Sequence, residues 1–286
     1  MKKIKKHFLL SVSRDSTNYY GVRFLSYFFQ DKNDILVDIL NLSRGSLGSG
    51  YFSGAAPGKT AAADEQSFLE QIRQKMMDFG FPGQNLRTES RQTSVSTATD
   101  IIAYSRKGLY DALVLGRRGL TLLESLIQDS VSSKILDEQC DIPVWICKAP
   151  ERQKKHVLLC ADGSRESLNT ADHVGFVLEG TPDKEITVLN VRSRGSRDNQ
   201  QDIFERTIAQ ITDNHFPAGR IRTLSLEGED TAGIILECAR ESKAAVIAMG
   251  RKCQAAPRTG LGRFFVGSVS GEVLNKMEGA SLWICK

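Results

Sequence analysis

Short apolar runs alternate along this chain with segments in which apolar residues recur at helical spacing. Five runs fall in the first half, at 7–12, 35–42, 85–90, 111–116 and 143–148, and five in the second, at 156–161, 184–191, 220–226, 244–249 and 281–285. The segments between them, such as 68–77 and 234–239, have the spacing of amphipathic helices. This alternation predicts an α/β protein with two five-stranded parallel sheets, each covered by helices on both faces.

The second half of the chain repeats the first. The first strand begins at His7 with His-Phe-Leu-Leu and again at His156 with His-Val-Leu-Leu, and Trp-Ile-Cys-Lys follows in each half, from Trp145 and from Trp283. Because the matching segments keep their order, we predict two tandem domains, 1–150 and 151–286. The first copy carries a Gly- and Ser-rich insert, from Ser43 to about Ala63, which predicts a flexible loop.

Composition excludes several classes of function. The chain has 38 Lys and Arg against 34 Asp and Glu, a formal net charge of +4, which is too balanced to predict nucleic acid or a membrane surface as an obligatory partner. No apolar stretch approaches the roughly 20 residues that cross a bilayer. The six cysteines have no metal-binding spacing, so we expect reduced thiols, no metal site and a soluble cytoplasmic protein.

Candidate binding residues follow the first and fourth strands of the second copy. Parallel sheets of this kind bind ligands beyond the carboxyl ends of their strands, where the strand order reverses. Asp162 follows the first strand there and can accept a hydrogen bond from an adenine amino group or a ribose hydroxyl. Gly250 ends the fourth strand, and the glycines and hydroxyls of 259–270 lead into a helix, which suits a polyphosphate. Each feature alone is also typical of an ordinary turn or helix cap.

These residues together resemble the universal stress protein family, whose nucleotide-binding members carry an Asp after strand one and G-x2-G-x9-G-[S/T] after strand four. The resemblance covers nearly the whole chain, because each half resembles the family once. It implies an adenine-nucleotide site, for ATP, ADP or AMP and with or without Mg²⁺. The implied site consists of Ala161, Asp162, Gly250, Arg251, Gly260, Gly262, Gly267, Ser268, Val269 and Ser270. It also implies that the two domains pack as an intramolecular pseudo-dimer. Whether two chains also form a homodimer stays open.

Each copy departs from the family pattern. In the first copy Ser13 replaces the Asp and Asp129 replaces the third Gly, and a carboxylate there repels phosphate, so we expect little or no ATP binding. In the second copy Cys253 stands where the second Gly is expected, because four residues are inserted in this loop. The insert still offers Gly260 and Gly262, so we predict that the second copy retains the nucleotide.

Two classes of function remain from the sequence. One is a stress or signalling protein that responds to a nucleotide and acts through conformational change or an unknown protein partner. The alternative is an interaction or structural protein with no nucleotide ligand. No positioned general base or metal pair is visible, so we predict no catalytic residues and at most slow, incidental ATP hydrolysis.

The last strand of each half, 143–147 and 281–285, is expected to lie at the edge of its own sheet. Edge strands expose unpaired backbone groups, so we predict that these two strands pair with each other. Trp145 and Trp283 occupy matching positions in them. Each tryptophan either lies at the resulting interface or packs within its own domain.

Overall fold

The computed structural model describes residues 5–14, 19–43, 58–94, 97–116, 142–193, 199–251 and 268–286. Ten strands lie in this part of the chain. They are β1 (Lys6–Val12), β2 (Ile35–Ser43), β3 (Leu86–Gln92), β4 (Ala112–Leu115), β5 (Val144–Lys148), β6 (His156–Cys160), β7 (Ile186–Arg192), β8 (Ile221–Glu227), β9 (Ala244–Gly250) and β10 (Ala280–Cys285). Every strand begins and ends within two residues of the position that its apolar run predicts.

Seven α-helices accompany these strands in the same part of the chain. They are α1 (Tyr20–Phe28), α2 (Gly58–Asp78), α3 (Thr97–Lys107), α4 (Arg165–Leu178), α5 (Gln200–Asp213), α6 (Thr231–Glu241) and α7 (Ser268–Lys276). Single 3₁₀ turns, Gly83–Asn85 and Ala218–Arg220, precede β3 and β8. None of the described helices is long and apolar enough to cross a membrane.

The ten strands form one sheet in the order β3-β2-β1-β4-β5-β10-β9-β6-β7-β8. Within each half, the five strands are parallel. The halves meet where β5 and β10 pair antiparallel, with Trp145 opposite Trp283. The α/β fold with five parallel strands in each half is therefore confirmed, and so is the predicted pairing of the last strands, which joins the two expected sheets into one.

Helices cover both faces of the sheet, as the apolar pattern predicts. One core contains buried residues of α1, α2, α4 and α5, and the other contains those of α3, α6 and α7. The first core runs continuously across β5 and β10, because Trp145 and Trp283 both belong to it. The two halves therefore share one apolar core on this face.

The expected extent of the loop after β2 is wrong at its carboxyl end. Helix α2 begins at Gly58, five residues before the predicted end of the loop near Ala63. The sequence after Gly58 contains Lys59 and three alanines, which are good helix formers, and the helix that they begin buries Leu69 and Ile72. The Gly- and Ser-rich stretch 44–57 lies outside the described residues.

Candidate functional site

The strand order of the second half reverses between β6 and β9. The chain runs from β6 to β7 and β8 on one side, and then returns to β9 and β10 on the other. Cys160 and Met249, at the ends of β6 and β9, are paired, so the residues that follow them emerge at the same edge of the sheet. Asp162 and Gly250 are thereby brought together at the position where this class of sheet binds ligands.

Asp162 lies in a tight turn that joins β6 directly to α4. Its Oδ1 accepts hydrogen bonds from the backbone N–H of Ser164, at 3.0 Å, and from the Ser164 hydroxyl. Gly163 adopts φ +76°, and a Cβ there would lie 3.0 Å from Cγ1 of Ile203, so the turn requires glycine. Ser164 caps α4 by accepting a hydrogen bond from the N–H of Ser167. Asp162 therefore has a local structural role, and its side chain is also exposed at the switch point.

Asn190 is a polar residue at this site that the motif does not contain. It lies in β7 and is only 3% exposed. Its Nδ2 donates a hydrogen bond of 2.7 Å to the carbonyl of Ala161, the residue before Asp162. A buried amide of this kind fixes the backbone at the start of the turn. The sequence could have indicated Asn190 through the repeat, since the same Leu-Asn pair occurs in the first half at Asn41.

Gly250 packs against the first turn of α4. A Cβ built on it would lie 2.6 Å from the carbonyl carbon of Glu166 and 2.6 Å from the backbone nitrogen of Ser167. No side chain fits there unless the helix moves away from the strand. The sequence pattern assigned Gly250 to phosphate contact, and the packing gives it a structural reason that is independent of any ligand.

The remaining predicted site residues divide into buried, half-buried and undescribed positions. Arg251 is 5% exposed, and its backbone N–H donates to the carbonyl of Cys285 at 2.7 Å. Ser268 is the first residue of α7, Val269 is half-buried and Ser270 is 6% exposed. Three glycines lie outside the described residues: Gly260, Gly262 and Gly267.

Two helices begin at the edge that carries Asp162. Helix α4 begins directly after the turn at the end of β6. Helix α7 lies between β9 and β10 in the chain, and it leads back to the start of β10. Helix N-termini carry partial positive charge and unsatisfied backbone N–H groups, which favour anions. An acceptor for a base or a sugar and a positive helix end for phosphate therefore occur at one edge.

The thiol of Cys160 lies beside this turn. Burial raises the pKa of the Cys160 thiol to about 12, so this side chain is neutral at physiological pH. The site offers a carboxylate and backbone groups for binding.

The corresponding turn of the first half is built differently. Ser13 follows β1, and α1 begins only at Tyr20, whereas α4 begins three residues after Asp162. Tyr19, which precedes α1, has φ 41° and makes no side-chain capping bond. Gly116, the counterpart of Gly250, has more room, because a Cβ built on it would make only ordinary van der Waals contacts, the nearest at 3.8 Å from the backbone nitrogen of Gly21. Asp129 lies outside the described residues. The chain therefore takes more residues to reach the first helix after strand one in the first half than in the second.

A comparison with known protein families finds a match in the second half of the chain. Residues 154–282 match the sequence model of the universal stress protein family. Among curated proteins, none matches the chain.

Solved structures resemble the chain over nearly its whole length. A universal stress protein from Archaeoglobus fulgidus DSM 4304 superposes with a TM-score of 0.68 at 19% identity, covering 99% of this chain and 97% of that one. A putative universal stress protein from Pseudomonas aeruginosa UCBPP-PA14 gives 0.58 at 14% identity, covering 98% and 93%. At these identities the likeness establishes the fold alone.

Proposed function

We propose that this chain, whose residues 154–282 match the sequence model of the universal stress protein family, binds an adenine nucleotide in its second half. ATP is the ligand that we favour, and ADP and AMP are the alternatives. The bound nucleotide acts in stress response or signalling by changing the conformation of the chain or its contact with a protein partner.

One observation carries the proposal: the exposed carboxylate of Asp162 lies at the switch point between β6 and β9. The tight turn and the hydrogen bond from Asn190 to Ala161 fix the backbone conformation at Asp162. Preorganised acceptors bind ligands better, because little conformational entropy is lost on binding. In our proposal Asp162 binds the base or the ribose, while Gly260, Gly262, Gly267 and the start of α7 surround the phosphates.

The second candidate is an interaction protein that has no nucleotide ligand. It is favoured by the bonds that Asp162 already receives from Ser164, since a turn alone accounts for this carboxylate. It is also favoured by Gly250, whose packing against α4 needs no ligand. The two candidates differ in one measurable property, which is whether the folded chain binds a nucleotide.

We further propose that the protein is not an enzyme and that ATP hydrolysis, with or without Mg²⁺, is slow. The proposal includes a cytoplasmic location. The described cysteines, Cys147, Cys160, Cys238 and Cys285, are free thiols, which agrees with a reducing compartment. The division into domains at about residue 150 is part of the same proposal.

Mass spectrometry of freshly purified, denatured protein tests the proposal. The proposal expects release of an adenine nucleotide in an amount that approaches one per chain. The matched variant is Gly267→Asp, which places in the second half the carboxylate that the first half carries at Asp129. This variant should release much less nucleotide, because a carboxylate among phosphates is repelled. Equal release from both proteins would refute the assignment of the phosphate residues, and no release from either would favour the second candidate.

A further inference from the structure

Equivalent strands of the two halves form the two outer edges of the sheet. Strand β3 lies at one edge and β8 at the other. In the part of the chain that the structure describes, β8 pairs with β7 alone, so one side of its backbone has no strand beside it. A strand edge of this kind can add a further strand through backbone hydrogen bonds. The β8 edge contains none of the residues of the proposed nucleotide site.

The hydrogen bonds to β7 show which backbone groups of β8 point outward. The N–H of Gly228, directly after β8, donates to the carbonyl of Arg192 in β7 at 3.0 Å. Backbone groups point to alternate sides along a strand, so the N–H and C=O of Leu224 also face β7. Those of Thr223 and Ser225 therefore point away from the sheet, towards any strand that is added.

The two edge strands differ in the residues that control pairing between molecules. Both contain the pattern Arg-Thr-x-Ser-x, from Arg87 in β3 and from Arg222 in β8. The two x positions hold Glu89 and Arg91 in β3 but two leucines, at 224 and 226, in β8. Leu224 is 37% exposed. Charged residues on an edge strand oppose pairing with another chain, so β3 has a protection that β8 lacks.

Neighbouring helices also engage β3 and leave β8 accessible. Ser90 of β3 donates a hydrogen bond to Glu65 of α2, and Tyr104 of α3 donates one to Glu89. The guanidinium of Arg91 lies 5.0 Å from the ring centroid of Tyr104. In β8, by contrast, all seven residues are exposed or half-buried.

We propose that β8 pairs antiparallel with β8 of a second copy of this chain, which forms a two-fold symmetric dimer. The strand Ile221–Glu227 pairs over its whole length when Leu224, its central residue, lies on the two-fold axis. Thr223 then faces the partner's Ser225, and their outward N–H and C=O groups bond each other. The complete pairing supplies about eight backbone hydrogen bonds across the interface.

The side chains of β8 are compatible with this register. Leu224 faces the partner's Leu224 in a pair without direct backbone bonds, where side chains come closest, so both exposed leucines are buried. Arg222 faces the partner's Leu226, and its aliphatic stem can pack there. No two like charges lie opposite each other. The sequence of β8 is therefore complementary to itself.

The same register applied to β3 is unfavourable. It places Glu89 opposite the partner's Glu89 and Arg87 opposite the partner's Arg91. Like charges directly opposite each other destabilise an antiparallel pair. The repeat thus distinguishes the two edges, and β8 is the one that pairs. A two-fold contact uses the same edge of both chains, so assembly through β8 closes at the dimer.

Sedimentation velocity of the full chain over a concentration series tests the proposal. The test variant is Leu224→Glu, which gives β8 the residue that β3 has at the equivalent position and places two carboxylates at the two-fold axis. The matched control is Leu109→Glu, at a leucine between α3 and β4 that is 94% exposed. Wild type and Leu109→Glu should dimerise alike. The dimer Kd of Leu224→Glu should rise by at least about tenfold, because like charges across an interface repel.

A mixing experiment tests the register itself. Leu224→Lys should also be monomeric by itself, since two ammonium groups then meet at the axis. An equimolar mixture of Leu224→Glu and Leu224→Lys should dimerise again, because opposite charges now face each other. Restoration requires that residue 224 of one chain faces residue 224 of the other, and it shows that both variants are folded.

Proline at Thr223 tests whether the contact is made by the backbone. Thr223→Pro removes an outward N–H that does not bond β7, and proline is tolerated on edge strands. Thr88→Pro makes the equivalent change in β3. The first variant should weaken the dimer, and the second should not.

Three results would overturn the proposal: a wild type that stays monomeric at every concentration, equal dimerisation of wild type and Leu224→Glu, or a mixture that stays monomeric. The first would assign the β8 edge to an extended segment of another protein. None of these measurements uses a nucleotide, so their failure leaves the proposed function untouched.

Discussion

Trp145 and Trp283 stack face to face across the junction of the two halves, with ring centroids 4.0 Å apart and planes inclined by 5°. Both side chains are fully buried. Phe24 and His173, which occupy equivalent positions in α1 and α4, each contact both indoles. The pair therefore belongs to the junction, and the alternative that each tryptophan packs only within its own half is wrong.

Replacement of Trp145 by Glu should weaken the junction of the two halves. The substitution removes a stacked indole and buries a carboxylate against Trp283 and Phe8, so we expect a loss of at least about 3–5 kcal/mol. The halves should then melt in two transitions, and proteolysis at 149–155 should become faster. Scanning calorimetry and limited proteolysis measure both effects. The control is Phe79→Glu, which changes a partly exposed aromatic residue. A single transition and unchanged cleavage in Trp145→Glu would contradict this role.

His173 should make the stability of the chain depend on pH. The Trp145 indole N–H donates to Nε2 of His173 at 3.0 Å, which requires a neutral ring, and burial lowers the pKa of His173 to about 3. Because the folded-state pKa lies below the unfolded value of roughly 6.5, this contribution is complete above pH 6.5. It is lost as the pH falls from 6.5 towards 3, by about 1.4 kcal/mol per pH unit.

Urea unfolding of wild type and His173→Gln at several pH values isolates this contribution. Glutamine keeps an acceptor for the Trp145 indole and does not titrate. Carboxylates contribute equally to both proteins, so the difference between their free energies of unfolding reports His173 alone. As the pH falls from 6.5 to 4, the free energy of unfolding should decrease more for the wild type than for His173→Gln. A difference that is constant over this range would show that His173 is not a buried neutral base.

Alanine should destabilise the chain at Gly250 but have little effect at its counterpart Gly116. At Gly250 the new Cβ meets the backbone of Glu166 and Ser167 at 2.6 Å, whereas at Gly116 the nearest atom is 3.8 Å away. Gly250→Ala must displace the start of α4 and should cost about 1–3 kcal/mol, while Gly116→Ala should be nearly neutral. Chemical denaturation compares the two variants. Equal stabilities would contradict the close packing of Gly250 against α4.

The sequence was most informative where a feature depends on local pattern. Strand positions followed from apolar runs, and the pairing of β5 with β10 followed from the edge position of the last strand in each repeat. The role of Gly250 could not be predicted, because it depends on how closely β9 approaches α4. The start of α2 could not be predicted, because the glycines that precede it are typical of a loop.

Nucleotide binding by the second half is tested most directly by titration calorimetry of the full chain with ATP. Asp162→Ala removes the proposed acceptor, and Ser13→Ala makes the matching change in the first half. We expect wild type and Ser13→Ala to bind one ATP per chain with the same affinity. Asp162→Ala should bind about 10- to 100-fold more weakly, because a charged hydrogen bond contributes about 1.5–3 kcal/mol. Circular dichroism should show that both variants remain folded. Binding of ATP to folded Asp162→Ala with wild-type affinity, or no binding to the wild type, would contradict the account.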